Sequence, residues 1–282
     1  MATTLSDIKR RIGTTSQIRK VTATLQKVAS AKLAQDLRRI SNASTYFKKI
    51  CSLLHLAYTA LPSGEAPHPL MRPQAGDSIC LIVLGSDRGL CGAFNTMLMN
   101  ATRAFIKEHP DKQVKVICRG KVIYRRAARH QIEGVELIDD TTEIANRIQT
   151  EFLSQAVSEV HMLYWQYTSG VEQHVTTQQI LPTPFTQLEA PAATAAQSYD
   201  ADLIEPSPAA LINALLPEYV RCSIHDGFYS SSVTENAQRR SSMSRATQNA
   251  TEMLVELKKT YSRLRQESIT TEMLEIVAGL GR

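Results

Sequence analysis

Met243-Ser244-Arg245-Ala246-Thr247-Gln248-Asn249-Ala250-Thr251-Glu252-Met253-Leu254-Val255-Glu256-Leu257-Lys258-Lys259-Thr260-Tyr261-Ser262-Arg263-Leu264 is the stretch from which the architecture follows. Its apolar residues Met243, Ala250, Leu254, Leu257, Tyr261 and Leu264 recur at steps of three, four or their sum, one face of a helix. No proline or glycine interrupts the chain between Gly227 and Gly279. An unbroken helix of that length would reach about 75 Å at the usual rise, far more than a small domain can bury. It therefore needs a partner helix, and the other end of the same chain is the candidate.

That other end has the matching pattern. Thr4 or Ser6 can cap a helix that meets only Gly13 as an early weak point and then runs from Thr14 to Leu61 without glycine or proline. Leu5, Ile8 and Ile12 open an apolar stripe that Ile18, Val21, Leu25 and Val28 continue. From Leu33 the pattern is heptad, with Leu33, Ile40, Phe47, Leu54 and Leu61 in one position and Leu37, Ser44, Cys51 and Tyr58 in the other. The two halves differ by one residue in register, which predicts a slip at Ala29-Ser30-Ala31 that alters the local supercoil.

Between the ends, prolines at 62, 67, 69 and 73 predict an irregular connection over 62–77. The run Ile79-Cys80-Leu81-Ile82-Val83-Leu84 reads as a buried strand, and Gly85 to Gly92 as a glycine-rich turn. Helices over 93–109, 122–130 and 142–157 then alternate with strands over 115–118, 135–138, 159–168 and 175–181, which implies a mostly parallel sheet covered on both faces. Pro182, Pro184, Pro191, Pro206 and Pro208 mark a second connection over 183–208. The expected fold class is α/β with a long antiparallel coiled coil: helices 1–61 and 209–282 pair, and an α/β domain occupies 78–182.

Composition narrows the function. The chain has 282 residues, 43% of them hydrophobic, enough for one or two domains with a core. Residues 1–60 carry eleven Lys and Arg against only Asp7 and Asp36, so basic surface is concentrated on the N-terminal helix. A solvated helical face, an acidic partner or nucleic acid each fits that surface. Nucleic acid is the weakest of these, because only Tyr46 and Phe47 offer stacking rings there. The charged cluster Lys9-Arg10-Arg11 precedes any apolar run and no eighteen-residue apolar stretch exists, so neither a secretory leader nor a membrane span is expected. Cys51, Cys80, Cys91, Cys118 and Cys222 lack zinc-ligand or redox-motif spacing and read as reduced, buried thiols.

The turn Gly85-Ser86-Asp87-Arg88-Gly89-Leu90-Cys91-Gly92 sits where a phosphate loop would, after a strand and before a helix. It matches neither glycine-rich phosphate motif, and Asp87 would oppose a phosphate, so a structural turn is favoured over a nucleotide-binding enzyme. Cys91 beside Arg88 lacks a nearby histidine to act as base, and His109, His130, His161 and His225 have no partners at useful spacing. No catalytic set, metal site or cofactor site is expected. The crowd of Ser, Thr, Asn and Gln in Thr247-Gln248-Asn249 and Ser268-Ile269-Thr270-Thr271 predicts weak, successive contacts rather than one dry partner.

Three blocks of residues carry a family resemblance. Ser86-Asp87-Arg88-Gly89-Leu90-Cys91-Gly92-Ala93-Phe94-Asn95 resembles the signature after the first strand of F-type ATP synthase gamma subunits. The tail is similar too, through Ala246-Thr247, Asn249-Ala250, Arg265-Gln266, Ile269-Thr270, Glu272, Glu275-Ile276-Val277 and Gly279. Ile8-Lys9-Arg10-Arg11-Ile12 and Val28-Ala29 with Lys32 complete the likeness along the whole chain. The resemblance implies an antiparallel coiled coil beside a Rossmann-like domain, serving as a rotary central stalk. Its implied partners are the alpha and beta subunits, the epsilon subunit and the membrane c-ring, with catalysis in beta and no cofactor on this chain. It implies neither nucleic-acid binding nor a direct membrane span, and a peripheral place on the cytoplasmic face of a bacterial plasma membrane.

The resemblance makes Lys9, Arg10, Arg19, Lys20, Lys27 and Lys32 candidate contacts for an acidic beta loop. Asp87, Arg88, Arg265, Gln266, Thr270, Glu272, Glu275, Ile276 and Val277 are further candidate contacts, the apolar tip Ile276 to Leu280 acting as a bearing. Lys27 stands where the family usually has methionine, Ala23-Thr24 replaces a Lys-Ala pair, and Gln238, Arg240 and Ser242 replace small or methionine residues. The inserted segment with regulatory cysteines typical of chloroplast members is missing.

Overall fold

A computed structural model describes residues 4–61, 68–168, 173–184 and 205–280, with side chains as far as Ile276. Pro62, Pro67 and Pro191 of the expected connections lie outside these residues. The chain divides into two compact units, one of residues 1–31 and 239–282, the other of residues 32–238.

In the larger unit, β1 (Ser78–Leu84), β2 (Gln113–Arg119), β3 (Val135–Leu137), β4 (Glu159–Tyr167) and β5 (Gln173–Leu181) form one sheet in the order β3-β2-β1-β4-β5. Helices α2 (Phe94–Glu108), α3 (Lys121–Arg129) and α4 (Thr141–Leu153) supply the crossovers, so β3, β2, β1 and β4 run parallel. Only a few residues separate β4 from β5, too few for a crossover, and β5 is antiparallel. The helix expected to reach residue 157 stops at Leu153. Gln155 takes a left-handed conformation there (φ 59°) and Ala156 N donates back to Glu151 O, ending the helix as a C-cap does.

The two long helices are α1 (Leu5–Thr59) and α5 (Pro208–Leu280). Thr4 is the residue that caps α1: its Oγ1 accepts from Asp7 N at 3.2 Å and donates to Asp7 Oδ2 at 2.8 Å, which holds the Asp7 carboxyl below its ordinary range. Alternate residues of β1 feed two cores. Ile79, Leu81 and Val83 meet Phe94, Leu98, Ile123 and Ala127 of α2 and α3. Cys80, Ile82 and Leu84 meet α4 together with Ile50, Leu54 and Ala57 of α1 and Ile212, Leu216, Val220 and Ile224 of α5. Thus the lower parts of the long helices replace the second layer that crossover helices alone would leave incomplete.

The expected slip in α1 is absent. One heptad runs its length: Ile8, Thr15, Thr22, Ala29, Asp36, Ala43, Ile50 and Ala57 are buried or half-buried, and so are Leu5, Ile12, Gln26, Leu33, Ile40, Phe47, Leu54 and Leu61, with Arg19 the one exposed member of the second series. Leu33, Ile40, Phe47 and Leu54 therefore stand as expected. At the second position the most buried residues lie one earlier than expected, at Asp36, Ile50 and Ala57; Leu37 and Tyr58 are exposed, whereas Ser44 and Cys51 are half-buried, Cys51 against the core. The cause is a buried carboxylate: Asp36 Oδ2 accepts from Ser232 Oγ at 2.7 Å and Asn236 Nδ2 at 2.8 Å. With Asp36 satisfied inside, Leu37 turns outward. Likewise Ile18, Val21 and Val28 are about half exposed rather than part of the seam.

Candidate partner-binding surfaces

The smaller unit is an antiparallel helix pair. Thr22 Oγ1 accepts from Thr247 Oγ1 at 2.8 Å, and Thr15 Oγ1 approaches Met253 Sδ at 3.9 Å, so α1 and α5 run in opposite directions. Met243, Ala250 and Leu254 are buried, Leu257, Tyr261 and Leu264 half-buried, and every residue from Thr271 to Ile276 is exposed. The stripe read from the sequence is thus the seam, and it fades toward the tip. Fourteen Lys and Arg against six Asp and Glu make this unit strongly basic.

Lys9, Arg10, Arg19, Lys20 and Lys27 are all exposed on α1. Lys9, Lys20 and Lys27, eleven and seven residues apart, share one side of the helix because those steps are three and two turns. Arg10 is turned locally onto Asp7 at 3.1 Å. Arg265, Gln266, Thr270, Glu272, Glu275 and Ile276 are exposed on α5, while the Val277 side chain lies outside the description. The polar crowding of α5 has a local explanation: Thr251, Thr270 and Thr271 hydroxyls donate to carbonyls four residues back, and Ser268 donates to Glu272. Of the outward apolar residues, Ile18, Val21 and Val28 are those whose spacing the sequence places in the seam, and Met273 and Leu274 were not singled out there.

Lys32, Asp87 and Arg88 belong to the larger unit, and all three are exposed. The turn around Asp87 is closed by its own groups. Asn95 Oδ1 accepts from Ser86 N at 3.2 Å, Asn95 Nδ2 donates to Ser86 Oγ at 2.7 Å, and Ser86 Oγ donates to Arg88 O at 2.9 Å. Asp87 Oδ1 accepts from Lys121 N at 3.3 Å and Oδ2 pairs with Arg119 at 3.6 Å. A carboxylate thus caps the N-terminus of α3 and ties the turn to the segment between β2 and α3. Leu90 in this turn has φ 65° and is 63% exposed.

Cys91 is buried and Asn95 Nδ2 lies 3.3 Å from its Sγ. Burial pushes the Cys51 thiol up to about 11 and those of Cys80, Cys118 and Cys222 to about 12, far from a thiolate nucleophile at neutral pH. The histidines do find partners that sequence spacing missed. His161 Nε2 lies 2.9 Å from Glu159 Oε2, Lys112 binds the other Glu159 oxygen at 2.6 Å, and Phe105 packs on both His109 and His161. Burial lowers the affinity of His161 for a proton. The signal was available, since residues 159 and 161 share one face of a strand. Among the described residues no group of three or more His, Cys, Asp or Glu is arranged to hold a metal, and no helix is long and apolar enough to cross a membrane.

A family model described as ATP synthase matches residues 4–281. The chain is 32% identical to the ATP synthase gamma chain of Solibacter usitatus over 98% of this chain and 97% of that one. It is 33% identical to that of Dehalococcoides mccartyi over 96% of both chains. Among solved structures, a chain of the Euglena gracilis mitochondrial ATP synthase shares 15% identity at a TM-score of 0.66, covering 98% of this chain and 93% of that one. A chain of the Tetrahymena thermophila central stalk and c-ring structure gives 18% identity and a TM-score of 0.60, covering 80% and 99%. A heptad seam from Leu5 to Leu61, an opposing helix from Pro208 to Leu280 and a β3-β2-β1-β4-β5 sheet agree with matches that span the chain: it belongs to the gamma-chain family of ATP synthases.

Proposed function

We propose that this chain is the rotary central-stalk subunit of an F-type ATP synthase, turning inside a ring of alpha and beta subunits while its foot meets the epsilon subunit and the c-ring. It couples ion flow through the membrane sector to ATP synthesis or hydrolysis in beta, and its own residues perform no catalysis. The single observation that carries this reading is the family match over residues 4–281. The closed turn at 85–92, with Asp87 on the α3 N-terminus, supports a structural rather than nucleotide-binding role.

In this reading Lys9, Lys20 and Lys27 on one side of α1, with Arg10, Arg19 and Lys32, attract acidic beta segments during rotation. Arg265, Gln266, Thr270, Glu272 and Glu275 make contacts weak enough to break as neighbours change, and Ile276 and Val277 belong to a low-friction tip. Asp87 and Arg88 form a further contact at the foot. The complex sits on the cytoplasmic face of a bacterial plasma membrane. Residues 78–182 act as the foot domain and residues 1–61 and 209–282 as the shaft. The test is to tag the chain, extract membranes in mild detergent and identify co-eluting subunits. Alpha and beta subunits are expected with the tagged chain, and the pure chain is expected to hydrolyse no ATP. Robust ATPase activity or tight mononucleotide binding by the pure chain would overturn the reading.

A further inference from the structure

The C-terminal end of β4 reaches past its neighbour. Pairing with β1 covers Glu159 to Leu163 and stops there, whereas pairing with β5 continues to Tyr167. On the β1 side, therefore, the backbone groups of the last β4 residues have no strand to meet. Alternate residues of a strand present N–H and C=O to the same edge, here Trp165 and Tyr167. Left bare in a buried position, each such group would cost about 1–3 kcal/mol.

Two serines of α5 take the place of the missing strand. Ser231 Oγ accepts from Trp165 N at 3.0 Å. Ser230 Oγ accepts from Tyr167 N at 2.7 Å and donates to Trp165 O at 2.8 Å, so one hydroxyl fills both roles that a strand residue would share. Both serines are buried, at 4% and 3% exposure. One turn earlier the fit is close as well: a Cβ at Gly227 would fall 2.6 Å from Met162 Cε, so α5 lies directly on β4.

The same tryptophan is held from its other end. Its indole stacks on Phe94 with ring centroids 5.7 Å apart, and Nε1 donates to Phe94 O at 3.3 Å. Phe94 begins the helix after the turn 85–92, and the adjacent Asn95 ties that turn together. Trp165 thus bridges two places: its backbone is bonded to α5, and its side chain is packed on Phe94, the first residue of α2.

We propose that Ser230, Ser231 and Trp165 form a joint that fixes the rotational setting of α5 against the sheet and passes load between α5 and the turn at 85–92. The assignment rests on the central-stalk reading. Hydrogen bonds suit this task because they define direction: apolar packing alone would let the helix roll on the sheet, whereas three bonds to one strand edge resist rolling in either sense. The residues are positioning residues, remote from any chemistry.

Two measurements test it. In the assembled complex, hydrogen-exchange mass spectrometry is expected to show the Trp165 and Tyr167 amides protected like those of Met162 and Leu163. Replacing both serines, Ser230→Ala with Ser231→Ala, should speed their exchange by about fivefold or more. Fast exchange of those amides in the unaltered complex would overturn the joint, even if the double variant failed to assemble. The second measurement uses complexes in sealed vesicles and compares ion transport per ATP hydrolysed. The double variant is expected to keep its hydrolysis rate while the transport ratio falls at least about twofold. The control is Ser232→Ala, which loses its bond to Asp36 but touches no strand edge, and it should retain the ratio. An unchanged ratio in the double variant, or an equal fall in the control, would overturn the proposal. Failure of the unaltered chain to associate with alpha and beta subunits would instead remove the stalk reading, and protection of the same amides in the isolated chain would then test the α5–β4 bonds alone.

Discussion

Gly120 has φ 108°, and a Cβ there would lie 2.8 Å from the Gly85 carbonyl carbon and oxygen. Both the conformation and the close approach exclude a side chain, because the neighbour is backbone and cannot swing away. Gly120→Ala is expected to destabilise the fold by about 2–3 kcal/mol, read as a lower urea midpoint. Asp226 offers an opposite case. Its Oδ1 is buried with no hydrogen-bond partner, burial raises its pKa, and only Lys48 on α1 offsets that. Cys51 of α1 and Tyr164 of β4 also face it. The folded protein holds this proton to higher pH than the unfolded chain does, so the group contributes a loss of stability as pH rises from the ordinary carboxylate range through the raised value. Asp226→Asn is expected to flatten that decline and to leave the neutral-pH protein more stable than the unaltered chain. Urea unfolding from pH about 4 to 7 checks both parts. A variant no more stable at neutral pH would show that the carboxylate is not strained.

At the scale of elements, the seam of α1 shows how far periodicity carries and where it stops. Heptad spacing correctly selected Leu33, Ile40, Phe47 and Leu54, because four large apolar residues seven apart leave little choice. It chose Leu37 over Asp36 and counted Ile18, Val21 and Val28 as inward, because hydropathy cannot anticipate a buried carboxylate that finds Ser232 and Asn236 on a helix some two hundred residues away. The same holds for Thr15 and Thr22, polar in sequence yet seated in the seam. Substitution separates the two readings. Ile8→Ser, at 2% exposure, is expected to cost about 2–3 kcal/mol, whereas Val21→Ser, at 58% exposure, should change stability by no more than about 0.5 kcal/mol. Equal losses measured by thermal unfolding would restore the apolar stripe as the seam. If Val21→Ser leaves stability alone but weakens association with the catalytic ring, the outward stripe is a contact surface.

For the molecule as a whole, the distribution of burial separates what folds the chain from what it offers to others. The two sheet cores and the seam as far as Leu264 hold the fold, and the side chains from Thr271 to Ile276 bury nothing within it. Removing residues 271–282 is therefore expected to leave the melting temperature of the isolated chain within about 2 °C. The same truncation should weaken retention of the chain in the assembled complex, checked by salt-wash release from membranes. A large fall in melting temperature would mean that the tip is needed for folding, and unchanged retention would count against its bearing role. The sequence by itself determined the two long helices, the strand and helix order between them and the antiparallel pairing, because apolar period and the placement of Gly and Pro are local quantities that survive without coordinates. It also made the contact residues candidates through family likeness. Only the tertiary structure decided that Asp36 lies inside and Leu37 outside, that Asp87 ties its turn to Arg119 and Lys121, and that Ser230 and Ser231 finish the edge of β4. Each of these depends on which distant hydrogen-bonding group arrives opposite a polar side chain, and no pattern along the chain encodes that meeting.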